Sequence, residues 1–183
     1  MKNLLLIIFI AILFSGCSVK SALYKPDFNS INELKTLNIK PMAIQRGNSQ
    51  NQAVNEISLR ASKMFSPYGE NFEEYLKVSL EEHLKSANLF DKNSNLLVTS
   101  TLLKNEVETG LAATGTADIS ANFTLNKDGQ LIYDKTLTIH HEWDSSFVGA
   151  IAIPNATENY PIAIQKLINK LMADDDFLRA IRK

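Results

Sequence analysis

The side chains in this sequence that most often perform chemistry include three histidines and a run of three aspartates. His83 stands alone, His140 and His141 are neighbours, and the aspartates occupy positions 174–176. A zinc site needs three or four convergent ligands, whereas neighbouring residues of a strand point to opposite faces of the sheet. We therefore expect no metal site, histidines that face solvent or border the core, and aspartates that begin an exposed helix.

Short motifs that frame a catalytic nucleophile or a nucleotide are missing from the sequence. No Gly-x-Ser-x-Gly elbow surrounds a serine, and neither a Gly-rich phosphate loop nor Gly-x-Gly-x-x-Gly occurs. The 19 basic and 20 acidic side chains give a formal charge of −1, without the basic excess typical of nucleic-acid binding. We expect a protein that is not an enzyme, needs no cofactor and binds no nucleic acid.

The single cysteine, Cys17, follows a short cationic start and an apolar run. Lys2 precedes the apolar residues 4–14, which are too few for a membrane-crossing helix of about 20 residues. Ser15 and Gly16 come next, and this order of segments predicts a secretory signal peptide. An ordinary signal peptide with a chance cysteine is the alternative, but it would leave an exported chain with one unpaired thiol.

The segment 14–17 resembles the bacterial lipobox, in which the cysteine is lipidated and becomes the mature N-terminus. The resemblance implies cleavage between Gly16 and Cys17, removal of residues 1–16 and acyl chains, palmitate among them, on Cys17. Ser18 resembles the residue that directs such lipoproteins to the outer membrane. Because two or more acyl chains give stable anchoring, the resemblance implies a lipoprotein in the outer membrane whose domain faces the periplasm.

The remaining chain is predicted to form a tether and one domain. Residues 18–35 contain Pro26 and show no sustained hydrophobic period, which predicts that residues 17–35 are a lipidated N-terminus and tether. Residues 36–183 have the length of a single periplasmic α/β domain with its own core.

Two amphipathic segments predict the main helices. Asn71 can cap a helix and Glu74 can reach back to it, and apolar residues follow at helical spacing. A second helix is predicted to begin at Thr157 or Asn159, with Pro161 in its first turn.

Residues 116–126 alternate between apolar and polar side chains and predict a strand. A second alternating run follows Gly129, so the two runs predict a β-hairpin. A two-residue loop would place the apolar face of one strand beside the polar face of the other. A three-residue loop over residues 127–129 would pair Phe123 with Tyr133 and keep the apolar side chains together, so we expect that loop.

Two further strands are predicted, one within residues 36–44 and one within residues 96–109. The resulting order is β-α-β-β-β-α. The sequence therefore predicts an α+β fold with a single antiparallel or mixed sheet of about four strands and two main helices on one face.

An apolar stretch, residues 147–153, joins the last strand to the last long helix. Connections usually run over the surface, so this stretch either packs under the helix, or extends the strand, or forms an exposed patch for a protein partner or lipid. Flanking aromatic residues would then serve as anchors. The candidate contact residues are Trp143, Phe147, Val148, Ile151, Ile153 and Tyr160.

The lipobox, the tether and the β-α-β-β-β-α order are similar in layout to small proteobacterial envelope lipoproteins. These include the YajG-like group and the auxiliary lipoproteins of ABC-type transport, and residues 66–69 and 145–154 resemble an uncharacterised family among them. The resemblance implies a membrane-anchored, non-enzymatic accessory or adaptor of an envelope or transport complex. The alternative is a carrier that holds a lipid or glycan between sheet and helices. An adaptor needs an exposed patch, whereas a carrier needs an internal cavity.

Overall fold

The computed structural model describes residues 18–111 and 113–182, so Gly16, Cys17 and the predicted signal peptide lie outside the described residues. The strands are β1 (Ser18–Lys20), β2 (Ala43–Arg46), β3 (Ile57–Leu59), β4 (Ser62–Phe65), β5 (Leu96–Glu108), β6 (Thr114–Lys127) and β7 (Gln130–Asp144). The helices are α1 (Phe28–Thr36), α2 (Phe72–Ser86), α3 (Gly149–Met172) and α4 (Asp175–Ile181). Within the described part of the chain, no helix combines the length and the apolar character needed to cross a membrane.

The larger sheet has four strands in the order β2-β5-β6-β7. β2 runs parallel to β5, and the other neighbours are antiparallel. One face of β6 is fully buried, as its alternating sequence predicts; its inward residues are Ala117, Ile119, Ala121, Phe123 and Leu125. The α+β prediction is confirmed.

A second sheet makes the single-sheet prediction wrong. β1 pairs in parallel with β4, and β3 pairs antiparallel with β4, so that three short strands form a separate sheet. Strands of three or four residues are too short to show a period of two, which is why the sequence pattern does not reveal them.

Residues 18–35 do not form the expected extended tether. They contain β1 and most of α1, whose Ile31 and Leu34 are buried. The Asp27 side chain caps α1 by accepting a hydrogen bond from the Asn29 N–H. Its other carboxylate oxygen accepts a 2.8 Å hydrogen bond from the Asn169 amide, so this segment is attached to α3.

The two long helices cover one face of the larger sheet. α2 begins as predicted, because the Asn71 side chain accepts a 2.8 Å hydrogen bond from the Glu74 N–H. α3 begins at Gly149 rather than near Thr157, and both Pro154 and Pro161 lie inside it. Proline disfavours a helix interior, but the buried stripe of α3 extends through its first turns, so tertiary packing overrides the local signal. Residues 149–153 are therefore helix, and the predicted connection is wrong in that part.

The β6–β7 hairpin uses a different loop from the predicted one. Lys127 pairs with Gln130 across a two-residue loop. Both loop residues, Asp128 and Gly129, have positive φ, as a two-residue hairpin turn of this kind requires. A register shift beside Leu125 then admits one extra residue, so Leu125 pairs with Tyr133. The bulge, and not a longer loop, brings the apolar side chains onto one face.

Candidate functional site

The apolar stretch after β7 divides into exposed and buried residues. Phe147 is 80% exposed, Val148 is 51% exposed and Ile151 is 50% exposed. Ile153 is only partly exposed and packs against the core. Three of the six candidate contact residues are therefore exposed to solvent.

The two aromatic candidates belong to the core. Trp143 is buried, and a Cβ built on the facing Gly115 would lie 2.5 Å from its indole ring. Tyr160 is fully buried, and its ring centroid lies 5.0 Å from that of Phe72 and 5.2 Å from that of Tyr75. Trp143 lies on the inward face of β7, in phase with the buried Ile139. Tyr160 lies on the buried stripe of α3. Their assignment as partner contacts is therefore wrong.

Leu111, in the loop between β5 and β6, adds an exposed side chain that the sequence analysis missed. It is 79% exposed, and its only signal in the sequence is a leucine directly after Gly110 in a loop. Leu111, Phe147, Val148 and Ile151 come from two neighbouring loops and the start of α3. We call these four residues the apolar tip.

Arg60, in the turn between β3 and β4, ties the two loops of the apolar tip together. Its Nη2 donates 2.6 Å hydrogen bonds to the carbonyls of Gly110 and Ser146, and its Nη1 donates one of 2.7 Å to the Phe147 carbonyl. Its Nε donates to the Thr109 hydroxyl at 3.1 Å. A planar guanidinium can satisfy several acceptors in one rigid geometry, so Arg60 orders the backbone beneath the exposed side chains.

Ser145 provides a second tie between the same loops. Its N–H donates a 2.6 Å hydrogen bond to the Ala113 carbonyl, and its hydroxyl donates to the Thr109 carbonyl. Gly110 has a φ of +66°, and a Cβ there would lie 1.9 Å from the Thr114 carbonyl oxygen. The loop thus requires glycine at this position.

The first described residue lies at the same end of the molecule as the apolar tip. Ser18 pairs with Lys63, the second residue of β4, and β4 begins directly after the turn that contains Arg60. β1 runs parallel to β4, so the chain enters the fold at the tip end and continues away from it.

His83 is buried, and the expectation of a boundary position is wrong. The Tyr24 hydroxyl lies 2.9 Å from its Nδ1, and the Ser30 hydroxyl lies 3.2 Å from its Nε2. Burial lowers the pKa of His83 to about 4, although the nearby Asp27 carboxylate acts to raise that pKa. α1 and the segment before it supply these partners, which explains why the pattern of α2 alone did not place the ring in the core.

The neighbouring histidines of β7 face opposite sides of the sheet, as predicted. His140 is exposed, and its hydrogen bonds to Glu142 at 3.0 Å and Asp118 at 2.9 Å raise its pKa. His141 is buried, and burial lowers its pKa although Asn159 lies 3.0 Å away. Among residues 18–111 and 113–182, no cluster of three or more histidine, cysteine or acidic side chains is arranged to hold a metal ion.

Asp174 caps the N-terminus of α4, as expected for an aspartate at a helix start. Its side chain accepts hydrogen bonds from the N–H groups of Asp176 and Phe177. Partial burial raises the pKa of Asp174, but the hydrogen bonds from Lys135 and the backbone outweigh it, and the pKa lies below its usual value. The Lys135 Nζ lies 2.5 Å from the carboxylate, so this acidic residue has a structural role.

The space between the helices and the larger sheet is filled with side chains. The rings of Phe72, Tyr75 and Tyr160 meet edge to face or tilted there. The carrier hypothesis places its ligand in this layer. An open surface cleft of about 420 Å³ lies elsewhere, lined by Leu23 and Ile162 among others.

No family model matches the chain, and no curated protein matches its sequence. Among solved structures it is similar to a Xanthomonas campestris protein of the family DUF330, with a TM-score of 0.63 and 12% identity over 90% of this chain and 97% of that chain. A weaker similarity is to a candidate lipoprotein from Caulobacter crescentus, with a TM-score of 0.49 and 10% identity over 83% of this chain and 95% of that chain. Another is to a minor lipoprotein from Acinetobacter baumannii, with a TM-score of 0.44 and 14% identity over 80% of this chain and 97% of that chain. Similarity to the YajG-like group is not confirmed. What the comparisons show is a fold shared with a DUF330 protein.

Proposed function

We propose that this chain is a lipoprotein of the bacterial cell envelope, held in the outer membrane by acyl chains on Cys17, with its domain in the periplasm. The observation that carries the proposal is the position of β1. Ser18 already belongs to a sheet of the folded domain, so a lipid on the preceding residue holds the domain at the membrane surface and not at the end of a long tether.

The domain acts as a non-enzymatic accessory or adaptor of an envelope or transport complex. One exposed apolar surface supports this role, the cleft that contains Leu23 and Ile162. Exposed apolar residues grouped in one place are typical of interaction surfaces. The buried His83 ring is occupied by structural partners, the hydroxyls of Tyr24 and Ser30.

Lipidation is tested by expressing the full chain in bacteria supplied with a clickable fatty acid. The wild-type chain should become labelled and remain with the outer membrane. Cys17→Ser should be unlabelled and released into the soluble periplasmic fraction. Ser58→Ala, which keeps the cysteine and changes an exposed side chain of β3, is the matched control and should behave like wild type. Labelling that persists in Cys17→Ser contradicts the proposed anchor.

The adaptor role is tested by photo-crosslinking in the same cells. A crosslinkable residue replaces Leu23 or Ile162, both exposed in the cleft. A discrete protein adduct that is lost when Cys17→Ser is added supports an adaptor held at the membrane. Crosslinks only within the protein itself, at both positions, contradict a protein-binding role.

A further inference from the structure

We infer that the apolar tip is a membrane-contact surface, seated in the same lipid leaflet that receives the acyl chains of Cys17. The inference rests on the proposed function, because it takes Cys17 to be lipidated. It adds the orientation of the domain on the membrane and assigns lipid, rather than a protein, as the occupant of the tip.

The first argument is position. Cys17 is covalently next to Ser18, Ser18 pairs with Lys63, and Lys63 is three residues from Arg60. With ~3.8 Å between consecutive Cα atoms and ~4.8 Å between paired strands, the Cα of Ser18 lies at most about 16 Å from that of Arg60. Arg60 holds the carbonyls of Gly110 and Phe147 directly. The lipid attachment point and the apolar tip are therefore neighbours at one end of the domain.

The second argument is chemistry. Phe147, Val148, Ile151 and Leu111 present one large aromatic and three aliphatic side chains to solvent, which is a composition that enters the boundary between headgroups and acyl chains. Because Arg60 and Ser145 already order the loops, little conformational entropy is lost on contact with lipid.

Charge around the attachment point fits a membrane containing anionic lipid. Lys20 and Lys63 are exposed on β1 and β4, and the sequences of β1, β3 and β4 contain no acidic residue. Cations near such a surface are attracted to it. The exposed acids Glu108 and Asp144 end β5 and β7. Each lies three residues before an apolar tip residue, Leu111 or Phe147, so the apolar side chains are the part that inserts.

The resulting orientation leaves the rest of the domain free for a protein. α3 begins at the tip and leads away from it, and Ile162 lies 11 residues after Ile151, about 16 Å further along the helix. The cleft with Leu23 and Ile162 then faces the periplasm while the tip faces lipid.

Depth-dependent fluorescence quenching tests this orientation in the lipidated full chain. The protein is reconstituted into vesicles of phosphatidylethanolamine and phosphatidylglycerol, with and without brominated acyl chains. A polarity-sensitive dye is attached at Phe147→Cys or Ile151→Cys. Leu131→Cys is the matched control, because Leu131 is also exposed but lies at the opposite end of β7. We expect a blue shift and loss of fluorescence at positions 147 and 151, and neither change at position 131.

Three other outcomes distinguish failure of the membrane contact from failure of the lipid anchor. If the mass of the protein shows acyl chains on Cys17 but positions 147 and 151 are not quenched, the membrane contact is wrong and the anchor stands. If no acyl chain is present, the proposed function fails and the inference fails with it. If a crosslinkable residue at Val148 gives a discrete protein adduct in cells, the tip is a protein-binding surface and the inference is overturned.

Discussion

Arg60 donates a 2.7 Å hydrogen bond to the main-chain carbonyl of Phe147, a residue 87 positions later in the chain. The exposed ring of Phe147 is thus held on a backbone ordered by a side chain from another sheet. This relationship explains how a connection with two exposed apolar residues, Phe147 and Val148, can be well formed: its polar backbone groups have a partner.

Replacing Arg60 should loosen the apolar tip. Arg60→Ala removes four hydrogen bonds to three acceptor carbonyls and one hydroxyl. Because the site is largely exposed, we expect a loss of only about 1–2 kcal/mol in the free energy of unfolding. Hydrogen exchange at the Ser145 amide should accelerate. Arg60→Lys keeps the positive charge but lacks the planar guanidinium, so its exchange rate at Ser145 should fall between those of wild type and Arg60→Ala. Unchanged exchange in both variants would mean that Arg60 does not order the tip.

His83 should make the protein less stable in mild acid. Its pKa is about 4 in the folded protein and about 6.5 in an unfolded chain, so the unfolded state binds more protons between these values. The free energy of unfolding therefore falls as pH drops from 6.5 to 4, by about 3 kcal/mol in total. Urea titrations across this range measure the effect. His83→Gln, which cannot be protonated, should show a flatter profile, and an equally steep profile would assign the acid sensitivity to other groups.

Tyr160 should behave as a core residue and not as an interface residue. Its hydroxyl donates a 3.1 Å hydrogen bond to Asn105 Oδ1, and the Asn105 amide donates to the Val54 carbonyl at 2.8 Å. Tyr160→Phe leaves a buried acceptor without its donor and should cost about 1–2 kcal/mol. Tyr160→Ala also creates a cavity and should cost about 3–5 kcal/mol. Thermal unfolding checks both, and a Tyr160→Ala variant of wild-type stability would restore Tyr160 as a contact candidate.

Gly110 and Gly129 form a matched pair of left-handed glycines, with φ of +66° and +83°. A Cβ on Gly129 meets nothing within 4 Å, whereas one on Gly110 would lie 1.9 Å from the Thr114 carbonyl oxygen. Gly129→Ala should therefore cost only the backbone strain, about 1–2 kcal/mol. Gly110→Ala should cost more and should displace Leu111. Denaturant unfolding of the two variants gives the comparison, and equal losses would show that the Gly110 loop can rearrange.

The β6–β7 hairpin illustrates which features of strand pairing hydrophobic alternation can predict. The alternation of β6 and β7 correctly requires Leu125 and Tyr133 to share a face, as they do. It does not distinguish a three-residue loop from a two-residue loop followed by a bulge. Either arrangement shifts the pairing of the two strands by one residue relative to a plain two-residue loop. Phe123 consequently faces Lys135 and not the predicted Tyr133.

The sequence by itself determined the features that depend on neighbours along the chain: the α+β class, the cap at Asn71, the buried face of β6 and the start of the last helix at Asp174. Periodicity and capping are local, so they can be read from the residues. Tertiary structure alone decided the second sheet, the burial of Trp143, Tyr160 and His83, and the apolar tip. Those features depend on contacts between distant segments, such as Ser18 with Lys63 and Arg60 with Phe147. No local pattern records such pairings, because the free energy that selects them comes from burial and hydrogen bonds formed only when the whole chain folds.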